Sequence, residues 1–309
     1  MQSRTFTLAA PDGVARFIYA WLPEGPPKAA VQIAHGLAEH AGRYARLAAA
    51  LTAAGYAVYA GDHRGHGRTA RGAADLGFFA ERDGWRKCIH DLGQLNRRIA
   101  ADHPGLPILL IGHSMGSFMA QQFISDRGDE LAGAVLSGSG GKPSALAMVG
   151  RLVARIERLR LGPRGRSGLI HALSFDAFNK QFKPTRTPGD WLSRDPAEVD
   201  KYIADPLCGF IATVQLWIDM LDALGDVTSP ARQRRIPKRL PVYVISGSRD
   251  PVGENTRSLE QLLGAYRAAG LERVTHRFYP DARHELFNET NRDEVTRDLI
   301  AWLDGVVSR

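Results

Sequence analysis

The 309-residue sequence predicts an α/β protein: an eight-stranded, mostly parallel sheet flanked by helices and interrupted by one helical insertion. Three observations carry this expectation. Short apolar, β-branched runs alternate with longer helical patterns through most of the chain. The helical patterns are long enough to serve as the crossovers that parallel strands require. The alternation then stops for about a hundred residues in the middle of the chain.

The elements follow in order. Residues 5–9 and 16–21 read as strands joined by Pro11-Asp12-Gly13, a turn signal suited to an antiparallel hairpin at a sheet edge. Strands at 29–34 and 56–60 flank a helical pattern at 43–54. A second pattern, 83–101, leads to a strand at 108–112, and a third, 115–126, separates that strand from one at 132–137. Beyond the insertion, strands at 242–246 and 274–279 enclose a helix at 256–269, and a helix at 292–307 follows. Residues 1–137 and 240–309 are thus expected to form the core domain, with 138–239 as a helical cap. Residues 142–186 carry a net charge of +8, which leaves −1 for the rest of a chain whose total is +7.

Composition excludes several classes. With 44% hydrophobic and 24% charged residues, the chain is neither disordered nor fibrous. The longest stretch without Asp, Glu, Lys or Arg, 103–125, contains two prolines and three glycines and is no membrane span. Residues 1–13 lack the apolar run of a secretory signal, so a cytoplasmic location is expected. Cys88 and Cys208, 120 positions apart, offer neither a disulfide framework nor a paired-cysteine zinc site, and no metal is expected.

The chemistry centres on Gly112-His113-Ser114-Met115-Gly116, which follows an apolar strand and opens a helical pattern. That context is the one a nucleophile elbow needs: a sharp turn that lifts a serine hydroxyl above the carboxyl end of the sheet, with glycines where strand and helix approach closely. A serine hydroxyl requires a base, and the base an orienting acid. Asp250 lies just past the strand at 242–246, and His284 follows the last strand, so both fall at carboxyl strand ends. The order Ser114, Asp250, His284 is that of α/β-hydrolases. Asp281 and Glu285 are competing acids, but they are too near His284 in sequence to reach the far side of its ring. His35, His40, His63, His66, His113 and His276 are competing bases on less suitable segments. Oxyanion donors are expected from the backbone amides of Met115 and Leu37, the latter in the loop His35-Gly36-Leu37 after the strand at 29–34.

His35-Gly36-Leu37-Ala38-Glu39-His40, continued by Gly42-Arg43-Tyr44, together with Asp62-His63-Arg64-Gly65-His66-Gly67, the Ser114 elbow and His284-Glu285-Leu286, resembles the monoacylglycerol lipase and lysophospholipase family. The resemblance runs from about residue 30 to the C-terminus and is weakest in the cap. It implies an α/β-hydrolase fold with a mobile lid, cleaving carboxylic esters of single-chain lipids without metal or organic cofactor. It assigns Ser114, Asp250 and His284 to the triad and the Leu37 and Met115 amides to the oxyanion hole. Leu37-Ala38 departs from the family's frequent small residue followed by glycine, and Thr69 stands where serine is frequent. Asp205-Pro206-Leu207-Cys208 also resembles a family stretch near the pocket, so Cys208, with His113 beside the nucleophile, is a candidate substrate contact.

In the cap, Val149, Leu152, Val153, Ile156 and Leu159 recur at helical spacing beside Arg151, Arg155, Arg158 and Arg160. Such a helix packs on the core, or it meets an anionic membrane surface as an interfacial lid. No nucleic-acid-binding motif accompanies the arginines. A general carboxylesterase for short-chain esters and a non-catalytic ligand-binding protein of the same fold are the competing functions. Nothing in the sequence points to an oligomeric state.

Overall fold

A computed structural model describes residues 1–143 and 145–308, with 145–148 described by their backbone alone. Eight strands form one sheet: β1 (Gln2–Ala9), β2 (Ala15–Leu22), β3 (Ala29–Ala34), β4 (Tyr56–Gly61), β5 (Ile108–His113), β6 (Gly133–Ser137), β7 (Val242–Gly247) and β8 (Val274–Tyr279). Their spatial order is β1-β2-β4-β3-β5-β6-β7-β8. Only β2 runs against the rest, pairing antiparallel with β1 and β4. β1 begins three residues earlier than its apolar pattern, because Gln2, Ser3 and Arg4 lie on an exposed edge and pair by backbone register alone.

The helices are α1 (Ala45–Ala53), α2 (Gly84–Asp102), α3 (Met115–Arg127), α4 (Ala145–Leu161), α5 (Gly168–Leu173), α6 (Phe175–Asn179), α7 (Pro196–Ala204), α8 (Val214–Val227), α9 (Pro230–Gln233), α10 (Arg257–Ala268) and α11 (Arg292–Val307). The central strands are buried on both faces, and successive residues alternate between two cores. Ile108 and Leu110 of β5 join α2, α3 and α10 on one side, while Leu109 and Ile111 join α1 and α11 on the other. This sandwich holds the carboxyl ends of β3, β5, β6 and β7 in one row, all pointing the same way.

Six helices, α4 to α9, lie between β6 and β7. They do not form a detached cover. α8 packs on α2 and α3, and its Val214, Leu216, Trp217 and Ile218 belong to the main core. α4 lies on α8, turning Val153 and Ala154 inward and leaving Val149, Leu152, Ile156 and Leu159 exposed. Arg151 and Arg155 pair with Asp222 of α8, while Arg164 reaches Asp75 and Glu81 and Arg166 donates to the Ala73 and Leu76 carbonyls. Much of the basic charge therefore ties the insertion to its own protein. Among the described residues, no helix is long and apolar enough to cross a membrane.

Candidate active site

Ser114 sits between β5 and α3 with φ 51° and ψ −120°, a conformation unfavourable for a side-chain-bearing residue. The flanking glycines make the turn possible. A Cβ on Gly112 would lie 2.4 Å from the Gly116 carbonyl oxygen, and one on Gly116 only 2.1 Å from that of Ala34. The Ser114 hydroxyl does not cap α3. The helix nonetheless points its positive N-terminal end at the turn, favouring charge that develops there.

His284 and Asp250 meet at the ends of β8 and β7. The ring Nδ1–H of His284 donates to Asp250 at 2.9 Å (Oδ1) and 3.0 Å (Oδ2), which leaves Nε2 as the free basic nitrogen. Asp250 is fully buried and also accepts the Val252 amide (2.9 Å) and the Ser246 hydroxyl (3.3 Å), so its position is fixed. Burial disfavours a charged His284, but the Asp250 carboxylate outweighs this, with Glu285 and Glu39 adding to it, and the ring is held above the ordinary histidine range. Gly138 adjoins both rings: a Cβ there would lie 2.9 Å from His284 Cε1 and 3.1 Å from His113 Cε1. The carbonyl of the preceding residue, Ser137, accepts the Ser114 amide at 2.9 Å. The Ser114 turn and the His284 imidazole thus share one small neighbourhood, with no hydrogen bond between Ser114 Oγ and His284 Nε2 among the described residues.

The loop after β3 approaches from the other side. A Cβ on Gly36 would touch Ser114 Cβ at 3.2 Å, which brings the Leu37 segment against the elbow. Ala38 takes φ 57°, a left-handed conformation that glycine adopts without penalty, so the departure at this position leaves the backbone path intact at some strain. Its carbonyl accepts the Gly209 amide at 2.9 Å. Among the described residues, neither the Leu37 nor the Met115 amide has an acceptor, so both are available as donors.

Behind these two loops lies a buried ionic bridge that the sequence alone does not disclose. Glu39 accepts the Gly36 amide (2.6 Å) and the Tyr44 hydroxyl (2.8 Å). Arg43 donates to Glu39 at 2.7 Å and holds Glu285 through two bonds of 2.6 Å. Burial pushes the Glu285 carboxyl up, and the Arg43 guanidinium more than reverses this. The residue next to His284 is thereby bolted to the loop carrying Leu37. Adjacency to His284 is the one sequence signal that singles out Glu285.

His113 faces this bridge: it lines a polar cavity with Glu39, Arg43, Glu285 and Asn288. Its ring packs 4.7 Å from that of His284, and burial, then the charge of His284, lowers its pKa to about 4. His35, His63 and His66 form a separate buried cluster. His63 donates its amide to His35 Nε2 (2.9 Å) and its ring nitrogen to the His35 carbonyl (3.2 Å), bracing the start of the Leu37 loop. Asp62 accepts the Ala41 and Arg68 amides, and Thr69 donates to the Asp62 carbonyl, so that motif organises backbone.

Cys208 is buried beside Trp191, Leu192 and Tyr202. With His40 and Asp205 it gathers ligand-type atoms within 4.8 Å of one another. The donor set does not suit a cation. His40 Nδ1 accepts the Gly42 amide (3.2 Å), which places the ring proton on Nε2, where Asp205 receives it at 2.9 Å; a metal-binding histidine keeps one nitrogen lone pair free for the ion, and here both nitrogens are engaged. Burial also pushes the Cys208 thiol up, away from the thiolate.

The insertion reaches His284 and its neighbours directly. The Leu192 carbonyl accepts the Glu285 amide (2.7 Å), the Ser193 carbonyl accepts from Arg283 (3.2 Å), and the Glu289 carboxylate accepts the Arg194 amide (3.1 Å). Trp191 stacks on His284, ring centroids 4.8 Å apart. The strand-poor sequence of this segment gives no hint of that contact.

A family model described as "Serine aminopeptidase, S33" matches residues 25–291. The chain belongs to this family. As a serine aminopeptidase S33 family member it is 31% identical over 300 residues to a monoacylglycerol lipase of Mycolicibacterium smegmatis, covering 94% of each chain. It is 29% identical over 293 residues to the monoglyceride lipase of Homo sapiens, covering 91% of this chain and 86% of that one. It superimposes on a thermostable carboxyl esterase from Bacillus coagulans with a TM-score of 0.91 at 25% identity, over 99% of both chains. The family member is an ester-hydrolysing serine hydrolase with the α/β-hydrolase fold that its motifs implied.

Proposed function

We propose that this protein hydrolyses carboxylic esters of single-chain lipids, monoacylglycerols or lysophospholipids, through an acyl-enzyme on Ser114. The observation that carries the reading is the buried, doubly hydrogen-bonded Asp250–His284 pair at the carboxyl end of the sheet, beside the strained Ser114 turn. In this mechanism His284 Nε2 takes the Ser114 proton as Oγ attacks the ester carbonyl, and the Leu37 and Met115 amides bind the oxyanion. His284 then protonates the leaving alcohol, and water repeats the sequence on the acyl-enzyme. Asp250 keeps the ring in the required tautomer and stabilises its cation.

Residues 138–239 act as the cap over this site. The exposed row Val149, Leu152, Ile156 and Leu159 gives the cap an apolar face through which it meets a lipid surface, with the net positive charge that the segment keeps beyond its internal ion pairs favouring anionic head groups. Such a protein works in the cytoplasm at the membrane periphery. Curated monoacylglycerol and monoglyceride lipases among its relatives support the substrate class.

Ser114→Ala is expected to remove turnover of monoacylglycerols, lysophospholipids and p-nitrophenyl esters while leaving the circular dichroism unchanged. A fluorophosphonate should label the wild-type peptide containing Ser114 and not the variant. A folded Ser114→Ala protein that still cleaved these esters would refute the assignment. Rates that fell steadily with acyl length would replace lipids by short-chain esters as the substrate class.

A further inference from the structure

We infer that Trp191 is a positioning residue for the proposed base: its indole face, packed on His284, stabilises the imidazolium that forms when Ser114 gives up its proton. The inference rests on the serine-hydrolase reading above and adds a residue from the insertion to it.

The two rings lie 4.8 Å apart with planes 28° from parallel, and both are almost wholly buried. A cation within about 6 Å of an indole centroid is attracted by the ring's negative face, most strongly where water is excluded. The neutral imidazole of the resting state gains little more than packing from this contact. Positive charge arrives with the proton on Nε2, so the attraction grows as the reaction proceeds, which is the condition for lowering a barrier.

Trp191 is held for the task. Its amide donates to Asn179 Oδ1 at 2.9 Å, and its carbonyl faces the His284 amide at 3.5 Å. Phe175 stacks on it at 5.5 Å and Phe178 lies 5.1 Å away, so the indole is wedged against the imidazole. The charged and titratable groups around His284 leave a distinct part for it. Asp250, from the loop after β7, stands at Nδ1. His113, at the end of β5, packs on the ring and stays neutral. Glu285 is matched by Arg43, which also holds Glu39, and Arg283 turns its guanidinium to the Asp190 and Ser193 carbonyls. Among the described residues, Trp191 is the one carbocyclic aromatic ring in contact with His284.

The test is an NMR titration of His284 in the intact, histidine-labelled protein, as wild type, Trp191→Phe and Trp191→Leu. Leucine removes the π face, and phenylalanine retains a weaker one. The pKa should fall in the order Trp, Phe, Leu, by roughly half to one and a half units in all, with kcat falling several-fold and KM little changed. A pKa that stayed put or rose in both variants would overturn the inference even if kcat fell, because a merely structural contact would not rank the variants by ring electrostatics. Should the leucine variant not fold, fluorinated tryptophans in the wild-type chain provide the same reading: stepwise fluorination should lower the His284 pKa, and an unmoved pKa would overturn the proposal. Failure of the hydrolase reading would look different, as an absence of Ser114-dependent turnover in the wild type.

Discussion

Arg43 is the side chain on which two loops of the site depend. It bridges Glu39, which fixes the Gly36 amide, and Glu285, which adjoins His284, and all three side chains are nearly shielded from water. Removing one partner of a buried ion network leaves uncompensated charge in a low-dielectric place, and that loss typically exceeds what the intact pair contributes. Arg43→Met should therefore destabilise the protein by about 3–5 kcal/mol in urea denaturation, with loss of esterase activity in the part that stays folded. A change below about 1 kcal/mol would mean that the two carboxylates are relieved by water or protonation. At the same scale, the convergence of Asp250 and His284 near the Ser114 turn was legible in the sequence, because each of the three follows a strand and strand ends converge in this fold. Arg43–Glu285 and Trp191–His284 were not, since they join residues 242 and 93 positions apart whose types fit many other roles.

Among the elements, strands were read from short apolar, β-branched runs and helices from the longer helical patterns between them, and each of the eight expected strands lies within a few residues of its place among the described residues. What the pattern left open was where the apolar residues of α4 would face. Amphipathic spacing marks a stripe but does not say what covers it; in the structure Val153 and Ala154 turn inward while Leu152 and Leu159 stand exposed. A helix with its apolar row facing solvent and arginines alongside should adsorb to lipid. We expect the protein to pellet with anionic vesicles more than with zwitterionic ones, less so at high salt, and less again in Leu152→Asp or Leu159→Asp. Equal sedimentation of wild type and both variants would remove α4 from any role at a lipid surface.

For the molecule as a whole, pH matters most through histidines that are buried without charge. Burial, together with their mutual repulsion when protonated, lowers His35 well below the usual range and His63 to about 3; burial also lowers His66 to about 4, and burial with the charge of His284 lowers His113 to about 4. Between the ordinary value near 6.5 and these values the unfolded chain binds protons that the native protein refuses, so their contribution is intact above about 6.5 and lost as pH falls. His284 acts in the opposite sense, since its raised pKa adds stability at low pH that disappears as pH rises through it. Asp219, which burial pushes up to about 6, also opposes the trend. Burial raises Asp62 as well and lowers His103, and the large downward shifts of the buried histidines dominate, so the melting temperature should drop steadily between about pH 6.5 and about pH 4.5. A flat profile there would show that these imidazoles reach water or counter-charge before the fold opens.

The hydrogen bonds between residues 192–194 and residues 283–289 also bear on how this scaffold can be re-engineered. Exchanging the whole insertion for that of another esterase would carry away the ledge on which the imidazole rests. A graft confined to residues before 175, with the following stretch left native, would keep that ledge together with the Phe175, Phe178 and Asn179 contacts that hold Trp191.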